Sequence, residues 1–249
     1  MNQIRQDKIR ELISRKEIIT IEELRGLFPE VSLMTLHRDL DVLAESGELV
    51  KIRGGARTVK RYIDPGFEER RRENLAAKAI VAKKALPLIK PGNAIFLDSG
   101  TTMMALAKAM TDTSVTVFTT EPNIAVELLR LPSVSVNLCG GNLNRHTLAL
   151  SGYSTIEMLE KINLDIAFLA VSGCSPEQGF TCGQESEMMV KRAVIKRARK
   201  SAALFDRAKL SRLMPFTFAR LNEVDYIISD GPLPKSFATM ADEMKVKIF

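Results

Sequence analysis

Apolar positions along the first fifty residues recur at helical spacing. Ile4, Ile9, Leu12 and Ile13 fall between charges and mark a first helix. Thr20 followed by Glu23 has the form of a capping box, and Leu24, Leu27 and Phe28 supply the apolar face of a second helix. After the break "PEV", Ser32 is placed to cap a third helix, "LMTLHRDLDVLAESG", stopping at Gly47. Leu33, Leu36, Leu40 and Leu43 form its buried stripe, which leaves Met34, Thr35, His37, Arg38 and Asp41 on other faces. "ELVKIRGGARTV" then reads as two short strands around Gly54-Gly55, a hairpin.

Helix, helix, tight break, helix and hairpin is the order of a winged helix-turn-helix, expected over residues 1–57. Residues 58–74 read as a linker, with a turn at Asp64-Pro65-Gly66 and the charged run Arg70-Arg71-Arg72. A helical pattern follows to Lys90 and closes at Pro91-Gly92. Beyond it the pattern changes to six short apolar runs: "NAIFLD", "SVTVFTT", "SVSVNLCGG", "LDIAFLAVSG", "SAALFD" and "VDYIISD". Helical segments ("TTMMALAKAM", "EPNIAVELLRL", "YSTIEMLEKI", "SEMMVKRAVIKRARK") separate most of them. Strand alternating with helix predicts an α/β domain over residues 75–249, with a mainly parallel sheet and ligands bound at the carboxyl ends of its strands.

Composition narrows the function. The net charge of +6 and pI of about 9.3 favour an anionic partner without naming one. No apolar run reaches membrane-spanning length, and the charged start "MNQIRQDKIREL" lacks a signal-peptide pattern. The three cysteines, Cys139, Cys174 and Cys182, form no CxxC pair, so a reducing, cytoplasmic setting is expected. Two histidines and no HExxH motif argue against a histidine-based metal site, and no cofactor is expected.

The third helix carries the first candidate chemistry. Ser32, Met34, Thr35, His37 and Arg38 lie near its start, where a recognition helix presents side chains to base edges and phosphates. Lys51, Arg53, Arg57, Lys60 and Arg61 lie along the hairpin with no acid among them, a pattern suited to phosphate contact. A small helical domain with a solvated basic edge has the same periodicity. "VSLMTLHRDLDVLAESGELVKIRGGA", however, resembles the signature of the DeoR family of bacterial transcription regulators. Val31, Ser32, Thr35, Arg38, Asp39, Leu40, Leu43, Gly47, Leu49, Gly54, Gly55 and Ala56 match its pattern. His37 stands where the family usually has an arginine, a change of charge and reach that bears on operator preference.

The second half holds a candidate anion cradle. "DSGTT" closes a strand with Asp98 and then places Ser99, Gly100, Thr101 and Thr102 at a helix start, where free N–H groups and the helix dipole favour an anion. It matches neither a Walker loop nor a dinucleotide fingerprint. Thr119 and Thr120, Gly140 and Gly141, Gly179 with Glu185, Glu187 and Lys191, and Asp206 with Lys209 stand at or near other strand ends. Each also has an ordinary reading as turn, cap or surface charge. Together these segments resemble the DeoR-family effector domain, which is similar in fold to ribose-5-phosphate isomerase and coenzyme A transferases. The resemblance implies a phosphorylated sugar as effector. Thr120 replaces the family's usual Asn, and Glu121 adds a carboxylate that a phosphate would oppose. Asp98 is expected to meet sugar hydroxyls or a neighbouring lysine, with residues 99–102 taking the phosphate.

Three functions are compatible with these residues. The first is a transcription regulator, in this family most often a repressor, that binds operator DNA as an even-numbered homo-oligomer under control of a sugar phosphate. The second is a sugar-phosphate isomerase with an appended DNA module, using Asp98, Asp206 and Lys209. The third is a DNA binder whose second domain only oligomerises. Sensing needs ligand complementarity alone, and a DNA module makes it the economical choice.

Overall fold

The computed structural model describes residues 2–16, 18–46, 48–58, 60–61 and 66–249. The chain divides into two compact units: residues 1–61 with 211–213, and residues 62–210 with 214–249. No described helix is long and apolar enough to cross a membrane.

The first unit contains α1 (Asn2–Arg15), β1 (Ile18–Thr20), α2 (Ile21–Leu27), α3 (Leu33–Glu45), β2 (Leu49–Ile52) and β3 (Gly55–Thr58). Its caps form as the residue pattern predicts. Thr20 and Glu23 close a reciprocal capping box on α2, and the Ser32 hydroxyl accepts from the Thr35 N–H at 3.2 Å. Ile9, Ile13, Ile19, Leu24, Leu36, Leu40, Leu43 and Leu49 form the core. Leu33 departs from the expected stripe and is 46% exposed, because α3 begins beyond the edge of that core. The predicted stop at Gly47 lies outside the described residues. An unpredicted strand, β1, pairs antiparallel with β3 and makes the hairpin a three-stranded sheet. Only Ile19 of this three-residue strand is buried, too short a run to register as alternation. Gly55 permits the pairing, since a Cβ there would stand 2.1 Å from the Ile19 carbonyl oxygen. A second tie crosses the unit: buried Asp39 of α3 accepts from Arg5 and from Gln6 Nε2 (3.2 Å) of α1.

The second unit contains α4 (Phe67–Arg72), α5 (Leu75–Ala85), β4 (Ala94–Leu97), α6 (Thr101–Ala109), β5 (Val115–Thr119), α7 (Pro122–Leu128), β6 (Val134–Leu138), α8 (Tyr153–Leu159), β7 (Leu164–Ala170), α9 (Glu185–Arg197), β8 (Ala198–Phe205), β9 (Tyr226–Ser229), α10 (Lys235–Glu243) and β10 (Lys247–Ile248). The seven strands form one sheet in the order β10-β9-β8-β7-β4-β5-β6, and every pairing is parallel. All six predicted runs are in it; the seventh strand is the two-residue β10. Alternate residues face opposite layers. Ile95, Leu97, Ile166 and Phe168 pack with Val81 of α5, Met103 of α6 and Ile124 of α7. Phe96, Ala167, Leu169 and Phe205 pack with Leu159 of α8, Val194 of α9 and Phe237 of α10. Covered on both faces, the strands read as continuous apolar runs rather than alternation.

Three departures from the predicted layout concern the site. The stretch expected to be linker contains α4, whose Phe67 is buried and donates its N–H to the His146 carbonyl at 3.0 Å; residues 62–65, with Asp64 and Pro65 of the expected turn, lie outside the described residues. The helix expected to reach Lys90 ends at Ala85 and tightens into a 3₁₀ turn around Pro87. Strands Gly173–Ser175, Gly179–Cys182 and Phe216–Ala219 form an unpredicted antiparallel sheet. There Gly179, at φ 76°, faces the Ala219 carbonyl oxygen, which a Cβ would approach to 2.3 Å. That close chain contact, rather than the approach of a ligand, is what the missing side chain of Gly179 admits.

Candidate functional site

Two surfaces carry chemistry, one on each unit. On the first, the start of α3 has no acidic residue in its opening turn, so the positive end of the helix dipole is unopposed. Ser32, Met34 and Arg38 are exposed, Met34 at 79%. Thr35 and His37 are half-buried. The Ser32 and Thr35 hydroxyls lie 2.8 Å apart and share a hydrogen bond that orders the helix start. On the hairpin, Arg53 is exposed beside Gly54, which takes the left-handed φ of 83° the turn requires. Lys51 pairs with Asp41 at 2.5 Å, which moderates its charge. Arg57 is half-buried, and its Nε has no hydrogen-bond partner among the described residues. The side chains of Lys60 and Arg61 lie outside the described residues.

On the second unit, the strand order turns between β4 and β7. From β4 the chain moves outward through β5 and β6, then returns to place β7 on the other flank of β4. Such a switch point leaves a crevice at the carboxyl ends of the two strands. Asp98 and Ala170 stand there. Asp98 Oδ2 accepts the Ala170 N–H at 2.9 Å and pairs with the Lys191 ammonium, which also donates to the Ala170 carbonyl at 2.9 Å. Burial disfavours the charged Lys191, but Asp98, with Glu187 adding to it, more than offsets this and holds its pKa above the ordinary lysine value. The Phe218 ring stands 5.1 Å from the same ammonium. Lys191 is 3% exposed and paired with Asp98; it is the neighbouring lysine that Asp98 was expected to meet. Its helix turns it inward, where a charge must be paired.

Beside this pair lies a small recess with about 10 Å³ of water-accessible space, room for about one water molecule. Asp98, Ser99, Thr120, Thr147, Ser151, Ser186 and Glu187 give it a polar lining, with Ala149, Leu150 and Val190 as apolar floor. Asn144, on the loop before Thr147, donates its N–H to the Ala149 carbonyl at 2.9 Å and its Nδ2 to Gln184 at the start of α9 at 2.8 Å.

The cradle adjoins it. Gly100, at φ 113°, caps α6 and donates its N–H to Glu121 Oε2 at 2.5 Å. Thr101 and Thr102 are buried in the first turn behind it. Arg70 of α4 brings its guanidinium 4.0 Å from where a Gly100 Cβ would stand. Lys78 fixes the end of α4 by donating to the carbonyls of Arg70 (2.5 Å) and Glu73 (2.7 Å). Buried Asp206, at the end of β8, accepts from Asn74 at 3.3 Å and from the Ala208 N–H at 3.1 Å. Burial lowers the Lys78 pKa; the Asp206 charge opposes that change, while the Lys209 charge adds to it. Asp206 and Lys209 therefore belong to a charge cluster around α4 and do not line the recess.

The remaining predicted residues have local duties. The Thr119 hydroxyl accepts from the Glu121 N–H at 3.1 Å. Gly140 accepts from the Thr155 hydroxyl at 2.5 Å, and a Cβ on Gly141 would stand 2.1 Å from the same oxygen. Gly141 thus lets α8 come close, while a Cβ on Gly140 would meet open space. Thr147, Ser151 and Ser186 line the recess and Arg70 stands beside Gly100, and no sequence motif singles these residues out. Arg70 looked like one member of a charged linker run, and the hydroxyls carry no motif.

Residues 5–62 match the family of DeoR-like helix-turn-helix domains, and residues 73–231 match the DeoR C-terminal sensor domain. The chain belongs to the DeoR family. It is 33% identical to the HTH-type transcriptional regulator GolR of Listeria innocua, over 93% of this chain and 92% of that one. It is also 33% identical to the HTH-type transcriptional repressor GlcR of Bacillus subtilis, over 96% and 93%. The HTH-type transcriptional regulator GlpR of Haloferax volcanii is 32% identical over 92% and 90%. Among solved structures, ribose 5-phosphate isomerase A of Methanocaldococcus jannaschii is similar at a TM-score of 0.40 and 19% identity, over 55% of this chain and 54% of that one. As a DeoR-family member the chain is a DNA-binding transcription regulator; its relatives are regulators rather than enzymes.

Proposed function

We propose that this regulator is a repressor whose operator binding is controlled by a phosphorylated sugar held in the second unit. The observation that carries the reading is the switch-point crevice, where a hydroxyl-lined recess adjoins a helix-start cradle flanked by Arg70. Sugar hydroxyls meet Asp98, Thr120 and Glu187 in the recess. The phosphate meets the N–H groups at residues 99–102, with Arg70 as the nearby cation. Ser32, Met34, Thr35, His37 and Arg38 read the operator, with Lys51, Arg53 and Arg57 on its backbone. Twofold operators call for an even-numbered homo-oligomer, and a transcription regulator of this type works in the cytoplasm.

Ligand control requires the effector to bind the DNA-competent and DNA-incompetent states with different affinity. The test is a melting screen with pentose and hexose phosphates, followed by an operator mobility-shift titration with each hit. The expected result is stabilisation by at least one phosphate ester and none by the parent sugar. No stabilisation across the panel removes the sensor reading.

A further inference from the structure

Glu121 sits where an incoming anion needs to be. It follows β5, is 0% exposed, and accepts the Gly100 N–H at the start of α6 through Oε2. Its Oε1 has no hydrogen-bond partner among the described residues. Capping one N–H does not explain this arrangement. A neutral threonine or glutamine does the same without burying half a carboxylate unsatisfied, which is costly. The charged groups facing it are Arg70 and Asp98, and the cation nearest Asp98, Lys191, is committed to that residue. Burial pushes the Glu121 carboxyl up to about 7, with the Gly100 N–H and Arg70 opposing the rise and Asp98 adding to it.

We propose that Glu121 is a resident competitor for the anion cradle: its carboxylate occupies the Gly100 N–H that a ligand phosphoryl group uses, and effector binding displaces it. The proposal rests on the sensor reading above and deepens it. It sets a requirement on the effector, since a neutral sugar offers the cradle nothing in exchange for the carboxylate. It also makes anion affinity depend on pH. Protonating Glu121 weakens its hold on the N–H and removes its repulsion of the ligand.

The experiment is calorimetric titration of the full chain with sulfate, whose charge is constant across the neutral range. Native protein is expected to bind sulfate about tenfold more tightly at about pH 6 than at about pH 8, as one group titrating near 7 requires. Glu121→Gln is expected to bind at both pH values as native protein does at the lower one. Its gain at the higher pH is therefore about tenfold. A flat native profile overturns the proposal without any variant. So does a pH dependence that persists in Glu121→Gln, since it then belongs to another group. In either case measurable sulfate binding leaves the sensor reading standing. Absence of sulfate binding in both proteins removes the cradle and the competitor with it. The sensor reading then falls only if the sugar-phosphate panel also fails.

Discussion

Arg38 and Glu121 show how differently the two units build a charged site. The DNA-reading surface comes from one short stretch, residues 32–38, and from the adjacent hairpin. Ser32, Met34, Arg38 and Arg53 there are exposed, and water screens the charges of the two arginines. The crevice is assembled from the ends of β4, β5 and β7 together with α4 and α9. Its carboxylates Asp98 and Glu121 are both buried. An exposed cation contributes little to folding and much to binding. A buried charge does the reverse until a ligand exchanges with it. Substitutions therefore separate the two sites by which quantity they change.

The largest expected effect is on the buried pair. Lys191→Met strands Asp98 inside the protein and should cost about 3–5 kcal/mol of stability, read as a fall in the urea midpoint. A loss below about 1 kcal/mol contradicts the pairing. Next comes the pH dependence of stability. The folded pKa of Glu121, about 7, lies above the unfolded value of 4.5, so the folded state holds the extra proton between them. The resulting stability is fully present below pH 4.5 and is lost as pH rises through about 7. At most it amounts to the order of 3 kcal/mol, and Glu121→Gln should flatten that part of the profile. Arg38→Ala should weaken operator binding by about 1–3 kcal/mol while moving stability by less than about 0.5 kcal/mol. Its effect on sugar-phosphate stabilisation should be nil. The smallest is Ser32→Ala, which removes the α3 cap and should cost about 1 kcal/mol in the melting of the first unit.

The same contrast explains what was readable in advance. Everything in the first unit that depends on neighbours in sequence was legible: the Thr20–Glu23 box, the Ser32 cap and the apolar repeat of α3. Leu33 was misread because periodicity says which residues share a face and not where the core ends. In the second unit the six principal strands and four helices stood out as apolar runs broken by turns. The chemistry did not. Lys191 lies on a helix rich in exposed cations, and only the packing of α9 turns it toward Asp98. Arg70 reads as one of three consecutive arginines until Lys78 pins the end of α4 beside Gly100. Gly141 and Gly179 were visible as glycines, but whether a ligand or another backbone fills the missing Cβ is a tertiary fact.

The central claim is that a phosphate ester bound in the crevice governs operator binding. The most direct measurement is operator affinity of the native chain, at fixed salt, with and without each sugar phosphate that raises its melting temperature. A change of at least about tenfold, equal to a coupling of about 1.4 kcal/mol, is the predicted result. Ligands that stabilise the protein yet leave operator affinity unchanged contradict it.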